Sequence, residues 1–196
     1  MLDRILCLIS TEHMIGFIRK LPIGMQSFKD LREKNFLYID KTTYINQLSK
    51  ANKIYFLSRP RRFGKSLFLS TLAAYFLGKK ELFKGLYLEK AEEELAMQEN
   101  RTAWQEYPVL YLDFNTGRYD LKEALDESLT YFLDTEGQKY NLQSTGLSHA
   151  KRFTSLIQAA YQQTGKQVVI LVDEYDKPLL QTMGVNEALN EDHRNT

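Results

Sequence analysis

Three apolar runs divide the chain, and each is short enough to form one β-strand. They cover residues 53–58, 108–114 and 167–172, with the sequences KIYFLS, PVLYLDF and QVVILV. The third run shows no alternation of polar and apolar positions, which is typical of a strand covered on both faces. The pattern therefore predicts three buried strands, and residues 36–39 are a weaker strand candidate.

Helical patterns fill the stretches between these runs. The segment LFLSTLAAYFLG is apolar on nearly every side and ends at Gly78, which predicts a central helix with a glycine C-cap. Ser27, followed by Asp30, and Asp40 are the predicted caps of two earlier helices. The predicted helices cover about 28–34, 41–50, 67–77, 121–134 and 149–164, and the acidic residues Glu89, Glu92, Glu93 and Glu94 are interpreted as a solvated helix face.

Strands that alternate with helices in this way predict an α/β domain with a parallel sheet flanked by helices. The composition changes this picture little: 43% apolar residues and a net charge of +1 over 196 residues are ordinary for a globular chain. The charge excludes a polycation that coats nucleic acid without selectivity. The single Cys7 excludes an intrachain disulfide and fits a cytoplasmic protein, and no apolar run approaches the ~20 residues that span a membrane.

The segment Ser58-Arg-Pro-Arg-Arg-Phe-Gly-Lys-Ser66 joins the first apolar run to the central helix. A G-K-[ST] sequence in this context is typical of a phosphate-binding loop. Gly64 lets the backbone approach a phosphate, Lys65 reaches the β and γ phosphates, and the Ser66 hydroxyl is a ligand for Mg²⁺. The full pattern has a glycine at position 59, where this chain has Arg59, and a strained residue there costs only ~1–2 kcal/mol.

A pair of acidic residues, Asp173 and Glu174, follows the third apolar run. Ligands bind at the carboxyl ends of parallel strands in open α/β sheets. In a phosphate-loop NTPase the carboxylate at this position supports Mg²⁺, and the next glutamate is a base for the attacking water. The alternative is that both residues only cap the end of a buried strand. Loop and acidic pair together, in this order, predict a nucleotide site.

Six segments of the chain carry a family resemblance: LPIG-x-QSF-x-x-LRE, YIDKT, FLSRPRRFGKSLFLSTL, ELFKGLYL, YPVLYLDF and VVILVDEYDKPL. Together they resemble the AAA-ATPase-like family of bacteria and archaea over about Leu21 to Leu180. The resemblance implies a P-loop NTPase fold of the additive-strand type, with ATP and Mg²⁺ as cofactors. It also implies that Arg59 is normal for the group.

The resemblance also implies roles for individual residues. Lys65 and Ser66 would be the Walker A pair, and Asp173 and Glu174 the Walker B pair, with Glu174 and Lys65 catalytic and Ser66 and Asp173 at the metal. The implied nucleotide-binding residues are Arg61, Arg62, Phe63, Gly64, Lys65, Ser66 and Leu67. Asp176 and Lys177 belong to the DEYDKP signature, without an assigned role. A homo-oligomer is compatible with the resemblance.

Two departures from the family pattern concern the ends of the chain. Residues 1–20 precede the pattern and are expected to be a leader outside it. Residue 196 follows soon after the Walker B pair, so the ATPase domain of 21–196 is expected to be incomplete. The family commonly continues into a PD-(D/E)XK nuclease-like domain, through which nucleic acid would be a partner.

Two other functions stay open on the sequence alone. Arg59, Arg61 and Arg62 would also suit a non-catalytic module that binds nucleic acid or regulates, and the chain would also fit a truncated product without function. Asp40, Lys41 and Asp113 are weaker site candidates, since each also has a plain structural interpretation. The three histidines are scattered, so a zinc site is not predicted.

Overall fold

The computed structural model describes residues 19–50, 54–58, 60, 63–142 and 146–196. Nearly all of the expected leader, residues 1–18, lies outside the described residues. The elements in chain order are α1 (Phe28–Glu33), α2 (Thr42–Ser49), α3 (Lys65–Phe76), α4 (Tyr87–Gln98), β1 (Val109–Asp113), α5 (Lys122–Lys139), α6 (His149–Thr164), β2 (Val169–Asp173), α7 (Lys177–Thr182) and α8 (Glu187–Asn195). Short 3₁₀ turns cover Lys80–Phe83 and Phe114–Thr116.

The sheet is formed by β1 and β2, which run parallel with Val109 opposite Val169 and Asp113 opposite Asp173. Helices α5 and α6 lie between the two strands in the sequence, as the crossover between parallel strands requires. Both strands were predicted from their apolar runs, and both predictions are confirmed. A mixed helix and strand domain with a parallel sheet is therefore confirmed.

Helices cover the two faces of the sheet unequally. Tyr111 and Leu171 point to the larger core, which α1, α2 and α3 build with Phe28, Ile45 and Leu72 at its centre. On the opposite face Leu110 packs with Leu133 of α5 and Leu156 of α6. That layer covers β1 but reaches β2 less well, because Ile170 and Val172 stay more than a third exposed.

The predicted strand at 53–58 is wrong. Residues 54–58 form no strand, and Ile54 and Phe56 are exposed. The weaker candidate at 36–39 is also not a strand. An apolar run becomes a strand only where a neighbour completes its hydrogen-bond ladder, and the described residues place no third strand beside β1 or β2.

The predicted helices agree closely with the observed ones. The Ser27 hydroxyl accepts a hydrogen bond from the Asp30 amide at the start of α1, as its capping role predicts. The central apolar helix is α3, and Gly78 follows it with a left-handed backbone. None of the helices in the described part of the chain is long and apolar enough to cross a bilayer.

The acidic face predicted near Glu92 needs one correction. Glu92 is only 1% exposed, whereas Glu94 is exposed. The Glu92 carboxylate accepts hydrogen bonds from the Arg101 guanidinium, the Tyr75 hydroxyl at 2.7 Å and the Trp104 amide at 3.1 Å. Burial is tolerated here because charged and polar donors satisfy the carboxylate, a partnership that spacing along the chain does not reveal.

Candidate functional site

Helix α3 begins directly after Gly64, whose backbone is left-handed at φ 75°. Among the described residues, a Cβ at this position would meet no atom within 4 Å. The backbone conformation therefore favours glycine here, and crowding does not. Glycine has no side chain to cap the helix, and no capping side chain is seen among the described residues.

The first turn of α3 consequently presents free backbone donors. The first amide that reaches a helix carbonyl is that of Phe68, which donates to the Gly64 oxygen at 3.0 Å. The amides of Lys65, Ser66 and Leu67 have no acceptor within the helix. Together with the helix dipole they form a positive end that suits an anion.

The side chains of this turn divide between solvent and core. Phe63 is exposed, Lys65 and Ser66 are half-buried, and in the described part of the chain no carboxylate forms an ion pair with Lys65. Leu67 packs against the core, so only its backbone amide can serve a ligand. The loop arginines Arg59, Arg61 and Arg62 lie outside the described residues, and their predicted contacts stay predictions.

Asp173 ends β2 and is 5% exposed. One oxygen, Oδ1, accepts a hydrogen bond from the Glu174 amide at 3.0 Å. Asp173 lies on the same face of the strand as Leu171, and that is the face against which α3 packs. The geometry thus places this carboxylate on the side of the sheet where Lys65 and Ser66 begin their helix.

Tyr111 lies opposite Leu171 on the adjacent strand, diagonal to Asp173 on the same face of the sheet. Burial, and then the negative charges of Asp173 and Asp113, raise the pKa of the Tyr111 phenol well above its ordinary value. Tyr111 therefore stays neutral beside the two carboxylates.

Glu174 lies immediately beyond the strand with a left-handed backbone at φ 50°. A non-glycine residue in this region is uncommon and carries strain. Its carbonyl accepts a hydrogen bond from the Lys177 amide at 3.0 Å, which closes the turn between β2 and α7. The turn carries the glutamate out of the line of the strand.

The rest of the DEYDKP segment fastens this turn to its surroundings. Asp176 is the N-cap residue of α7, and its side chain makes no capping bond. The Lys177 ammonium donates to the Asn115 carbonyl oxygen beyond β1. Asn115 in turn donates its amide to Asp113 Oδ1 at 2.7 Å. Asp113 and Lys177 thus hold the two strand ends together.

A cavity of about 160 Å³ opens beside Gly64. Lys41, Tyr44 and Gln47 line it from the side of α2. Tyr44 is 52% exposed, whereas its neighbour Ile45 is fully buried in the core. No sequence signal identified Tyr44 or Gln47 as site residues, because the wall forms only when α2 packs beside the loop.

The donor set for a metal is small. Among the described residues, no group of three or more His, Cys, Asp and Glu side chains is placed to hold a metal by itself. Magnesium characteristically binds through one or two protein oxygens and completes its shell with phosphate oxygens and water. The Ser66 hydroxyl and the Asp173 carboxylate are ligands of that kind, so the residues present fit Mg²⁺ delivered with a nucleotide.

Comparison with known proteins covers most of the chain. The family model described as "Predicted AAA-ATPase" (AAA-ATPase-like) matches residues 22–196. The matched range contains the start of α3 and the end of β2, the two elements that form the candidate site.

A curated relative from Azotobacter chroococcum mcd 1, described as "Uncharacterized protein in vnfD 5′region", is 39% identical over 175 residues. The alignment covers 88% of this chain and 32% of that protein, so the chain spans about a third of the length of the relative it matches. No solved structure matches the chain.

Proposed function

The chain belongs to the AAA-ATPase-like family, and on that premise we propose that it binds ATP at the start of α3 and hydrolyses it with Mg²⁺. The proposed fold is that of a P-loop NTPase, with the segment before Gly64 as its phosphate loop. The observation that carries the proposal is the uncapped first turn of α3, which follows a left-handed Gly64 and bears Lys65 and Ser66.

Phosphate binding follows from the first turn. The backbone amides of Lys65, Ser66 and Leu67 would donate to phosphate oxygens, and the Lys65 ammonium would neutralise their charge. Phe63 and Gly64 would shape the loop, and Arg61 and Arg62 would add cationic contacts. Lys65 suits this role because no carboxylate among the described residues competes for it.

The metal would be held by Ser66 and Asp173. When bound with the nucleotide, Mg²⁺ would supply positive charge that offsets the negative charge developing on the phosphates. Asp173 suits this role because it is buried and its Oδ1 accepts a hydrogen bond from the Glu174 amide. Its orientation would need little adjustment on binding.

Hydrolysis would use Glu174 as the base that orients and deprotonates water. The position of Glu174 directly after β2 supports this role, because ligands of open α/β sheets bind at the carboxyl ends of the strands. An arginine supplied by another subunit or domain is worth ~10³–10⁵ in rate in related NTPases. We therefore expect an arginine that a second copy contributes in a homo-oligomer to raise the rate of hydrolysis.

The longer relative supports a modular role. The matched region is 32% of that protein, so most of the relative lies outside it. We infer that the ATPase domain works with a further domain in such longer proteins, and the family resemblance suggests one that is nuclease-like and contacts nucleic acid.

The test of binding is calorimetric titration of ATP with Mg²⁺ into the wild type and Lys65→Ala. We expect the variant to bind at least tenfold more weakly, a loss of about 1.4 kcal/mol. Lys90→Ala, an exposed lysine on α4, is the matched control and should bind as the wild type does. Equal affinities of the wild type and Lys65→Ala for ATP would contradict a nucleotide site at the start of α3.

The test of hydrolysis uses Glu174→Gln. This variant should keep ATP affinity and lose phosphate release, because the amide cannot accept the proton of the attacking water. Phosphate release at the wild-type rate would show that Glu174 is not the base.

A further inference from the structure

The cavity beside Gly64 has aromatic and apolar walls with polar groups at its α2 side. Phe63 and Phe68 flank it near the loop, and Tyr44 and Leu48 form the wall opposite. Lys41 and Gln47 supply its polar atoms. A few placed polar groups in an apolar concavity are the usual composition of a small-molecule pocket.

We propose that this cavity binds the adenine base of the nucleotide, with Tyr44 as a stacking wall and Gln47 as the residue that reads the base. The inference rests on the proposed function, because it places the base beside the site where α3 would hold the phosphates. Gly64 belongs both to the cavity lining and to the start of α3, so one ligand can reach both.

The size of the cavity agrees with one ring system. A buried cavity of about 150 Å³ lined by apolar side chains is known to accept benzene. At about 160 Å³, this cavity accommodates a planar heteroaromatic ring, whose edge can extend toward solvent. The exposed ring of Tyr44 offers a π-face, and stacking of a base on an aromatic side chain is worth ~1–3 kcal/mol in nucleic-acid complexes.

The hydrogen-bonding groups favour adenine over guanine. A glutamine amide presents one acceptor and one donor side by side, which matches the amino group and adjacent ring nitrogen of adenine. This match holds at the edge that carries N7, where guanine presents two acceptors, O6 and N7, so guanine would leave the glutamine oxygen facing another acceptor. Gln47 is exposed on α2, so its amide is accessible to that edge of the base.

The α2 wall is fixed before any ligand arrives. Asp40 Oδ1 accepts hydrogen bonds from the Thr42 amide at 2.8 Å and from the Thr42 hydroxyl at 2.7 Å. Asp40 Oδ2 accepts from the Tyr87 amide at 2.7 Å, and the Thr42 hydroxyl accepts from the Leu88 amide at 3.1 Å. These bonds fasten the start of α2 to the start of α4. A fixed wall lowers the entropy cost of binding.

The experiment compares ATP, GTP and inorganic tripolyphosphate as ligands of the 196-residue chain with Mg²⁺, by calorimetry. The variants are Tyr44→Ala, Tyr44→Phe and Gln47→Leu. The controls are Tyr131→Ala, an exposed tyrosine on α5, and Gln98→Leu at the exposed end of α4. Tyr44 and Gln47 are exposed, so their substitution should leave the fold intact.

The expected result separates base from phosphate. Tyr44→Ala and Gln47→Leu should weaken ATP about tenfold or more and leave tripolyphosphate unchanged, while Tyr44→Phe and both controls bind ATP normally. The wild type should prefer ATP to GTP, and Gln47→Leu should narrow that preference. Unchanged ATP affinity in both variants, or equal losses for ATP and tripolyphosphate, would overturn the base pocket.

Failure of the proposed function has a different signature. Two results would contradict the phosphate site: full affinity of Lys65→Ala for tripolyphosphate, or no ATP binding by the wild type. Either result would also contradict the base pocket, which depends on that site. A third result would contradict only the base pocket. In that case Lys65→Ala loses tripolyphosphate binding, whereas the Tyr44 and Gln47 variants bind ATP as the wild type does.

Discussion

The rings of Phe56 and Tyr175 pack edge to face, with their centroids 5.5 Å apart. Phe56 belongs to the segment that leads toward Gly64, and Tyr175 follows Glu174 in the turn after β2. The contact therefore joins the segment before the loop to the turn that carries Glu174. Both rings are at least half exposed, so this link stands apart from the main core.

A double-mutant cycle measures this link. Phe56→Ala and Tyr175→Ala should show a coupling of about 0.5–1.5 kcal/mol in the free energy of unfolding, the range for aromatic pairs. Chemical denaturation of the two single variants and the double variant provides the value. Phe56→Ala paired with Tyr131→Ala, on the remote α5, should be additive. If the losses in free energy of unfolding are also additive for Phe56→Ala and Tyr175→Ala, the two rings do not interact.

Removal of the Glu92 carboxylate should destabilise the fold. Glu92→Gln removes the buried one of the two carboxylates that pair with Arg101 and leaves only the more exposed Glu99, and breaking a buried ion pair costs about 3–5 kcal/mol. Arg101 is partly solvated, so we expect the lower end, about 3 kcal/mol in urea denaturation. The exposed Glu94→Gln should change stability by less than about 0.5 kcal/mol. Similar values for the two variants would contradict the role of Glu92.

The same carboxylate predicts a dependence of stability on pH. Burial alone would raise the pKa of Glu92, but hydrogen bonds from Arg101, Tyr75 and Trp104 outweigh it and hold the pKa below its ordinary value. This contribution to stability is complete above about pH 4.3, the value for an unfolded glutamate, and is lost as pH falls toward the lowered folded-state pKa. Denaturation at a series of pH values should show a shallower acid loss in Glu92→Gln, and parallel curves would contradict the assignment.

Two glycines around α3 should respond differently to alanine. Gly64 and Gly78 both have positive φ, which costs a non-glycine residue ~1–2 kcal/mol. At Gly64 the new Cβ meets no described atom within 4 Å, whereas at Gly78 it would lie 2.8 Å from the Trp104 carbonyl oxygen. Gly78→Ala should therefore lower the melting temperature more than Gly64→Ala does. The reverse order would show that Gly64 is the more constrained position.

Local sequence patterns predicted the elements whose partners are supplied by the fold itself. The aliphatic runs at β1 and β2 find each other across the crossover, and α3 is apolar because it packs against β2 and the neighbouring helices. The run at 54–58 carries the same signal but has no ladder to join among the described residues. Apolar character indicates that burial would stabilise a segment. Which element buries it depends on the whole fold and cannot be deduced from the local sequence.

The residues of the candidate site also fall into two groups, those that local sequence patterns predicted and those that depend on packing. Gly64, Lys65, Ser66, Asp173 and Glu174 were predicted because each lies at the end of a recognisable element. Tyr44 and Gln47 were not, since their place beside Gly64 depends on the hydrogen bonds of Asp40 with α4. The burial of Glu92 could not be predicted for a similar reason, because its partner Arg101 lies beyond the end of α4, the helix that carries Glu92.

The amides of Lys65, Ser66 and Leu67, which have no acceptor among the described residues, are three spectroscopic reporters of the site. An amide proton without an intramolecular acceptor exchanges readily with water, whereas the next turns of α3 are protected by helix bonds and by the core. A phosphate seated on the turn would slow exchange at these three protons first. Amide exchange can thus locate an occupied site without any substitution, and without turnover.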